Sequence, residues 1–147
     1  MNSKKGKKVV AVSGYFNPMH VGHLEMLEKA KKLGDYLVVI LNSDYQVGLK
    51  GRVPFMPGKD RKKIVEAIRY VDEVFPSTDK DLSVCESLRQ VRPDIFANGG
   101  DRHQGEVPEA SVCRELGIEM VDGMGKKIRS SSIMIQKAKE YKMKEKK

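Results

Sequence analysis

Short apolar runs alternate along this chain with longer segments in which apolar residues recur at helical spacing. One run, Tyr36–Leu41, is apolar at every position, which is typical of a strand covered on both faces in a parallel sheet. The predicted strands are Val9–Val12, Tyr36–Leu41, Val71–Phe75, Asp94–Ala97 and Ile118–Val121. Because strands and helices alternate in units of roughly 30 residues, we predict an α/β fold, a single Rossmann-like domain with a five-stranded parallel sheet and helices on both faces.

The segments between these strands predict the helices. In the first, Leu24, Leu27 and Ala30 recur at helical spacing and Gly34 is expected to end the helix. The second helix opens near Pro57 and is expected to direct Ile64, Ala67 and Ile68 inward. Further helices are predicted over Leu82–Val91, over Pro108–Leu116 with Gly117 as cap, and from Ser130 to about Tyr141.

A sheet of this kind binds ligands beyond the carboxyl ends of its strands. The loops that follow the predicted strands are residues 13–20, 42–57, 98–106 and 122–130. Residues that carry chemistry are therefore expected in these four loops.

The net charge of +8 is confined to the two ends of the chain. Residues 1–8 carry four lysines, and residues 137–147 carry six lysines and two glutamates, so residues 9–136 are neutral overall. We expect basic tails at 1–8 and 137–147 around one domain at 9–136, with no specific nucleic-acid surface. Nucleic-acid binding through the tails is an alternative that deletion of both tails would test.

The cysteines and the apolar runs bear on the compartment. Cys85 and Cys113 have no closely spaced companions of the kind that a disulfide framework or a zinc site requires. No apolar run approaches the roughly 18–20 residues that span a bilayer. We expect a cytoplasmic protein with no membrane partner and no metal ligands of its own.

The loop after the first predicted strand carries the most distinctive residues, in the run Gly14-Tyr15-Phe16-Asn17-Pro18-Met19-His20-Val21-Gly22-His23. His20 and His23 fall on one side of the first helical turn. The N–H groups of a helix start and two imidazoles suit phosphate oxygens. By spacing alone, two metal ligands or two unrelated surface histidines remain open.

In this context the pattern GxFNPxHxGH resembles the signature of the HxGH nucleotidyltransferase superfamily. Similarity to the small cytidylyltransferases, in particular the glycerol-3-phosphate cytidylyltransferase group, extends from about Val9 to Ile135 and includes Arg69–Val74. The same core, with Asn98-Gly99-Gly100-Asp101, also resembles the adenylyltransferase domain that acts on heptose phosphates.

The resemblance implies that a substrate phosphate attacks the α-phosphate of a nucleoside triphosphate and that pyrophosphate leaves. It implies catalytic roles for His20, His23, Lys50 and Arg129, with the histidines as donors to the triphosphate. Mg²⁺ is the expected cofactor, held mainly by the nucleotide phosphates.

Binding residues are implied in the same way. For Arg61 the resemblance implies substrate binding, with a surface or interface charge as the alternative. The resemblance further implies nucleotide binding by Gly14, Tyr15, Phe16, Asn17, Gly22, Asn98, Gly99, Asp101, Ser130, Ser131 and Ser132. For the three serines the alternative is a capping role, because serines at the start of a helix can be caps.

The function that we expect from the sequence is transfer of CMP from CTP to a phosphorylated polyol, sugar or amino alcohol such as glycerol 3-phosphate. The alternative is an adenylyltransferase that uses ATP on a heptose phosphate or another sugar phosphate. A second alternative is a nucleotide-binding module without catalysis. A homodimer is expected on analogy with the family alone.

Overall fold

A computed structural model describes residues 6–17, 19–99 and 107–124 of the chain. The predicted helix from Ser130 and the basic segments at 1–5 and 137–147 lie outside the described residues. In chain order the elements are β1 (Val9–Gly14), α1 (Val21–Lys31), β2 (Tyr36–Leu41), α2 (Asp44–Leu49), α3 (Gly58–Glu66), β3 (Glu73–Pro76), α4 (Cys85–Val91), β4 (Ile95–Gly99), α5 (Glu109–Leu116) and β5 (Glu119–Met124).

The strands of the described chain form one parallel sheet in the order β3-β2-β1-β4-β5. In the centre, β1 pairs with β2 from Val9 opposite Tyr36 to Gly14 opposite Leu41, and on its other side it pairs with β4. The chain first builds outward from β1 to β3 and then returns to add β4 and β5 at the opposite edge. The direction of winding therefore reverses between β1 and β4, where parallel sheets of this kind bind ligands.

Apolar side chains cover both faces of the sheet, because successive residues of a strand point to opposite sides. On β1, Val10 and Val12 belong to the core beneath α1 and α3, which contribute Leu27 and Val65. Ala11, between them, belongs to a second core beneath α4 and α5. The prediction of a five-stranded parallel sheet with helices on both faces is confirmed.

Two predicted helix features were wrong for physical reasons. Of the three residues expected to face inward on the second predicted helix, Ile68 packs against the core, but Ile64 is 44% exposed and Ala67, the C-cap of α3, is exposed. The buried residues of α3 are Arg61 and Val65. Apolar periodicity fails there because a charged residue occupies the inner face. Residues 42–57 were expected to be a loop throughout, but they contain the six-residue helix α2.

The two glycines expected to end helices behave differently. Gly117 adopts φ 71° and caps α5, as predicted. In contrast, α1 ends at Lys31 with Lys32 as its right-handed cap, so Gly34 does not end it. A Cβ on Gly34 would lie 2.7 Å from the carbonyl oxygen of Lys8, and this close approach of two backbone segments is what requires glycine.

Candidate active site

His20 and His23 form a capping box at the start of α1. His20 is the N-cap, and its Nδ1 accepts a hydrogen bond from the backbone N–H of Gly22 at 3.1 Å. In return, the Nδ1 of His23 accepts from the backbone N–H of His20 at 3.0 Å. Because a neutral imidazole has one donor and one acceptor nitrogen, acceptance at Nδ1 places the proton of each ring on Nε2.

This box changes one expectation from the sequence. The amide groups of Gly22 and His20 are committed to imidazole nitrogens, and the amide of His23 donates to the carbonyl oxygen of His20 at 2.9 Å. The helix start therefore offers a ligand the two Nε2–H donors rather than these backbone groups.

The two imidazoles stack, with ring centroids 3.9 Å apart and planes 20° from parallel. The edge of Phe16 meets His23 at 4.7 Å between centroids. Burial, and to a smaller extent the neighbouring His20, lowers the pKa of His23 from 6.5 to about 4. His23 is therefore neutral near neutral pH and donates as an uncharged imidazole.

Phe16 shapes the loop from below. Its side chain is buried in the core and its backbone adopts a left-handed φ of 51°, which costs a non-glycine residue about 1–2 kcal/mol. A Cβ on Gly14 would lie 2.9 Å from the Phe16 ring. The glycine thus makes room for Phe16, and the two residues expected to bind nucleotide have only backbone groups to offer it.

Lys50 lies beside the same loop. It is the C-cap of α2, and its Nζ is 4.2 Å from the centroid of the Tyr15 ring, within the range of a cation–π interaction. The helix α2, which was not expected from the sequence, therefore carries Lys50 to the loop that holds the histidines. The structure brings Tyr15 and Lys50 into contact, and their shared role in a nucleotide site stays a prediction.

Arg61 is buried beneath the site, with 1% of its surface exposed. Its guanidinium donates to the carbonyl oxygens of Tyr15 at 2.7 Å, Asn42 at 2.9 Å and Met56 at 3.1 Å. A further bond at 2.7 Å reaches the carboxylate of Asp44. These donors are directed to protein groups, so Arg61 is placed to position loops. It is not placed for the substrate contact that the resemblance implied.

Asn17 also joins two loops. Its Oδ1 accepts from the backbone N–H of Phe55 at 2.7 Å, and its Nδ2 donates to the carbonyl oxygen of Val53 at 3.5 Å. The side chain expected to bind nucleotide thus fastens the segment after α2 to the loop of the histidines. Asn17 is separated along the chain from Val53 by 36 positions and from Phe55 by 38 positions. No local spacing pattern in the sequence therefore reveals these two hydrogen bonds.

The remaining predicted site residues are only partly described. Asn98 and Gly99 close β4, whose register with β5 shifts between Ala97 and Gly99. Since β4 neighbours β1, its end lies at the point where the winding reverses. The roles of Asp101, Arg129, Ser130, Ser131 and Ser132 stay predictions, because these residues lie outside those that the structure describes.

The described residues do not form a metal site of their own. Within 6–17, 19–99 and 107–124, no three histidine, cysteine, aspartate or glutamate side chains gather around one point. The imidazoles of His20 and His23 and the amine of Lys50 are poor ligands for Mg²⁺, which prefers oxygen. Nor does any helix in these ranges have the length and apolar character needed to cross a membrane.

Comparisons with known proteins agree with this arrangement. Residues 11–142 match the family described as cytidylyltransferase-like. The FAD synthase of Ferroglobus placidus is 41% identical over 113 residues, which are 77% of this chain and 72% of that protein. The FAD synthase of Thermococcus kodakarensis is 43% identical over 103 residues, 69% of this chain and 68% of that protein.

One further sequence relative and one solved structure also match this chain. The bifunctional protein HldE of Streptomyces coelicolor is 37% identical over 139 residues, which are 90% of this chain but only 28% of that protein. The lipopolysaccharide core biosynthesis protein of Thermoplasma volcanium superposes with a TM-score of 0.69 at 26% identity, over 80% of this chain and 96% of that structure. Sequence and structure together show that the chain belongs to the cytidylyltransferase-like family of nucleotidyltransferases.

Proposed function

We propose that this protein transfers AMP from ATP to the phosphate of a small phosphorylated acceptor and releases pyrophosphate. FAD, which two of the relatives are named for making, is a flavin mononucleotide that carries AMP on its phosphate. The HldE relatives correspond to the heptose-phosphate adenylyltransferase that the sequence also resembles. These names favour ATP over the CTP that we expected first.

The reaction needs little covalent chemistry from the protein. An oxygen of the acceptor phosphate bonds to the α-phosphorus of ATP, and the bond to the bridging oxygen breaks as pyrophosphate leaves with the electron pair. Since the attacking group is already an anion, no general base is required. Positioning and stabilisation of negative charge therefore supply most of the rate.

The observation that carries this proposal is the stacked pair of His20 and His23. Both Nδ1 atoms are engaged by backbone N–H groups, so each ring has its Nε2–H as the donor for phosphate oxygens of the leaving pyrophosphate. Donors held in place before the reaction stabilise developing charge without reorganising.

Lys50 supplies a positive charge next to the Tyr15 ring, where it would neutralise a phosphate of ATP or of the acceptor. Arg129 and the three serines are proposed to complete the triphosphate site, as the family resemblance implies. Mg²⁺ is proposed to arrive on the nucleotide phosphates, where it supplies charge neutralisation, since the described residues offer it no cluster of ligands.

The test is pyrophosphate release from ATP and from CTP, in Mg²⁺, across a panel of phosphorylated acceptors that includes flavin mononucleotide, sugar phosphates and glycerol 3-phosphate. We expect turnover with ATP and at least about tenfold less with CTP. A rise in melting temperature with ATP but no release with any acceptor would instead support the non-catalytic alternative. Release with CTP alone would restore the cytidylyltransferase expectation.

A homodimer remains part of the proposal. Light scattering of the full chain measures it directly, because the mass of one copy, 16.6 kDa, is readily distinguished from that of two.

A further inference from the structure

The segment after α2 exposes apolar side chains beside the active site. Val53 is 81% exposed and Phe55 is 67% exposed, the two highest values among the large hydrophobic side chains of the described residues. Exposed apolar side chains on a protein surface often mark a place where a ligand binds.

The backbone of this segment is held to the histidine loop by two independent anchors. Asn17 bonds to the backbone of Val53 and of Phe55. Arg61 bonds to the carbonyl oxygens of both Tyr15 and Met56. These bonds fix the backbone of the segment beside the loop that carries His20 and His23.

The anchors also place the segment relative to the reacting groups. Asn17 lies three positions before His20 in the same loop, and Lys50, over the Tyr15 ring, stands at the start of the segment. Arg52 is exposed between Lys50 and Val53. Two cations that suit a phosphate, Lys50 and Arg52, therefore lie next to Val53 in the chain. Val53 and Phe55 offer an apolar surface for the rest of the same molecule.

We infer that Val53 and Phe55 determine acceptor specificity by contacting the part of the acceptor that does not react, and that Asn17 is the residue that positions them. The inference rests on the proposed adenylyl transfer. Valine and phenylalanine donate no hydrogen bonds to the hydroxyl groups of a sugar or polyol, whereas an aromatic face stacks well on a flat ring. The chemistry fits a phosphate monoester with a flat, conjugated ring system, which gains by burying its face against an aromatic ring.

The experiment measures KM and kcat of the full-length protein with ATP and flavin mononucleotide as the probe acceptor. In Phe55→Ala we expect KM for flavin mononucleotide to rise about tenfold, with kcat and the KM for ATP nearly unchanged. Phe55→Trp keeps a planar surface and should restore most of the affinity. Ile64→Ala, which removes an exposed apolar side chain from α3, is the matched control and should change neither constant.

Asn17→Ala tests the positioning role separately. The variant leaves both apolar side chains in place but releases their backbone, so KM for flavin mononucleotide should rise while the KM for ATP changes less. An Asn17→Ala protein with the wild-type KM for the acceptor would overturn the assignment of Asn17.

Other outcomes separate this inference from the proposed function. A wild-type preference for sugar or glycerol phosphates, or equal acceptor KM values in Phe55→Ala and Ile64→Ala, overturns the inference but leaves adenylyl transfer intact. No pyrophosphate release with any acceptor refutes the proposed function. Quenching of flavin fluorescence then still compares binding in wild type and Phe55→Ala, and equal affinities overturn the inference. So does a change of oligomeric state in Phe55→Ala with unchanged acceptor KM, because the surface would then be an interface.

Discussion

The rings of His20 and His23 lie face to face with centroids 3.9 Å apart, and the backbone N–H of the first donates to Nδ1 of the second. The same two side chains therefore begin a helix and present donors to a ligand. Capping depends on Nδ1 and the proposed catalysis depends on Nε2, so substitutions that keep one atom and lose the other can separate the two roles.

His20→Asn and His20→Ala should separate capping from catalysis. The Oδ1 of asparagine can replace Nδ1 as acceptor for the amide of Gly22, whereas alanine cannot, so only His20→Ala should lose about 1 kcal/mol of unfolding free energy. Both variants lack the Nε2–H and should lower kcat by on the order of 10²–10³. Urea unfolding and pyrophosphate release measure the two effects. Full activity in His20→Asn would contradict the catalytic role.

The stability of the protein should depend on pH through His23. Burial holds its pKa at about 4 in the folded state against 6.5 for an ordinary histidine. Between these values the unfolded chain binds a proton that the folded protein does not, so the free energy of unfolding should rise from pH 4 to 6.5 and lose this dependence above pH 6.5. His23→Gln should have a shallower slope in that interval, measured by urea unfolding. Parallel curves for the two proteins would be inconsistent with the buried neutral ring.

Arg61→Lys should be strongly destabilising despite keeping the charge. A lysine amine cannot satisfy three carbonyl oxygens and the Asp44 carboxylate that the planar guanidinium serves. We expect unfolding free energy to fall by about 3 kcal/mol. The control is Lys62→Met, which breaks the surface pair with Glu66 and should cost no more than about 0.5 kcal/mol. Similar losses in the two variants would show that Arg61 is not a structural hub.

Two glycine-to-alanine changes should act in opposite directions. At Gly34 the new Cβ would meet the Lys8 carbonyl oxygen at 2.7 Å and a Val10 methyl group at 2.8 Å, which should cost about 1–3 kcal/mol. At Gly48, inside α2, nothing lies within 4 Å, and alanine should stabilise by about 0.5–1 kcal/mol. Thermal melting of both variants checks the signs, and a shift in the same direction would contradict one of them.

The strands of this fold are predictable from sequence because their apolar runs are buried by both layers of helices. Tyr36–Leu41 has the predicted bounds, since it is covered on both faces. In contrast, α2 has the sequence DYQVGL, with a glycine and too few residues for a helical period to appear. Its stability comes from a Ser43 cap and from buried Gln46, which bonds to the carbonyl oxygens of Asp81 and Ser83. Such contacts between distant segments leave no local pattern.

The candidate site was predictable to the same extent. The spacing of His20 and His23 placed them on one helical turn, but the tautomers depend on backbone geometry that the sequence does not contain. Asn17 and Arg61 belong to the site for a different reason from the one expected, because each joins segments that only the folded chain brings together. Polar residues near a motif can thus support the loops instead of contacting a ligand.

The anchors of the segment after α2 use its backbone: the N–H of Phe55 and the carbonyl oxygens of Val53 and Met56. The outward side chains at positions 53 and 55 take no part in this fastening. Evolution can therefore exchange these two side chains for others that keep the backbone bonds, proline at position 55 excepted, while the anchors stay in place. A scaffold with this property can diversify across metabolites while its catalytic end stays unchanged.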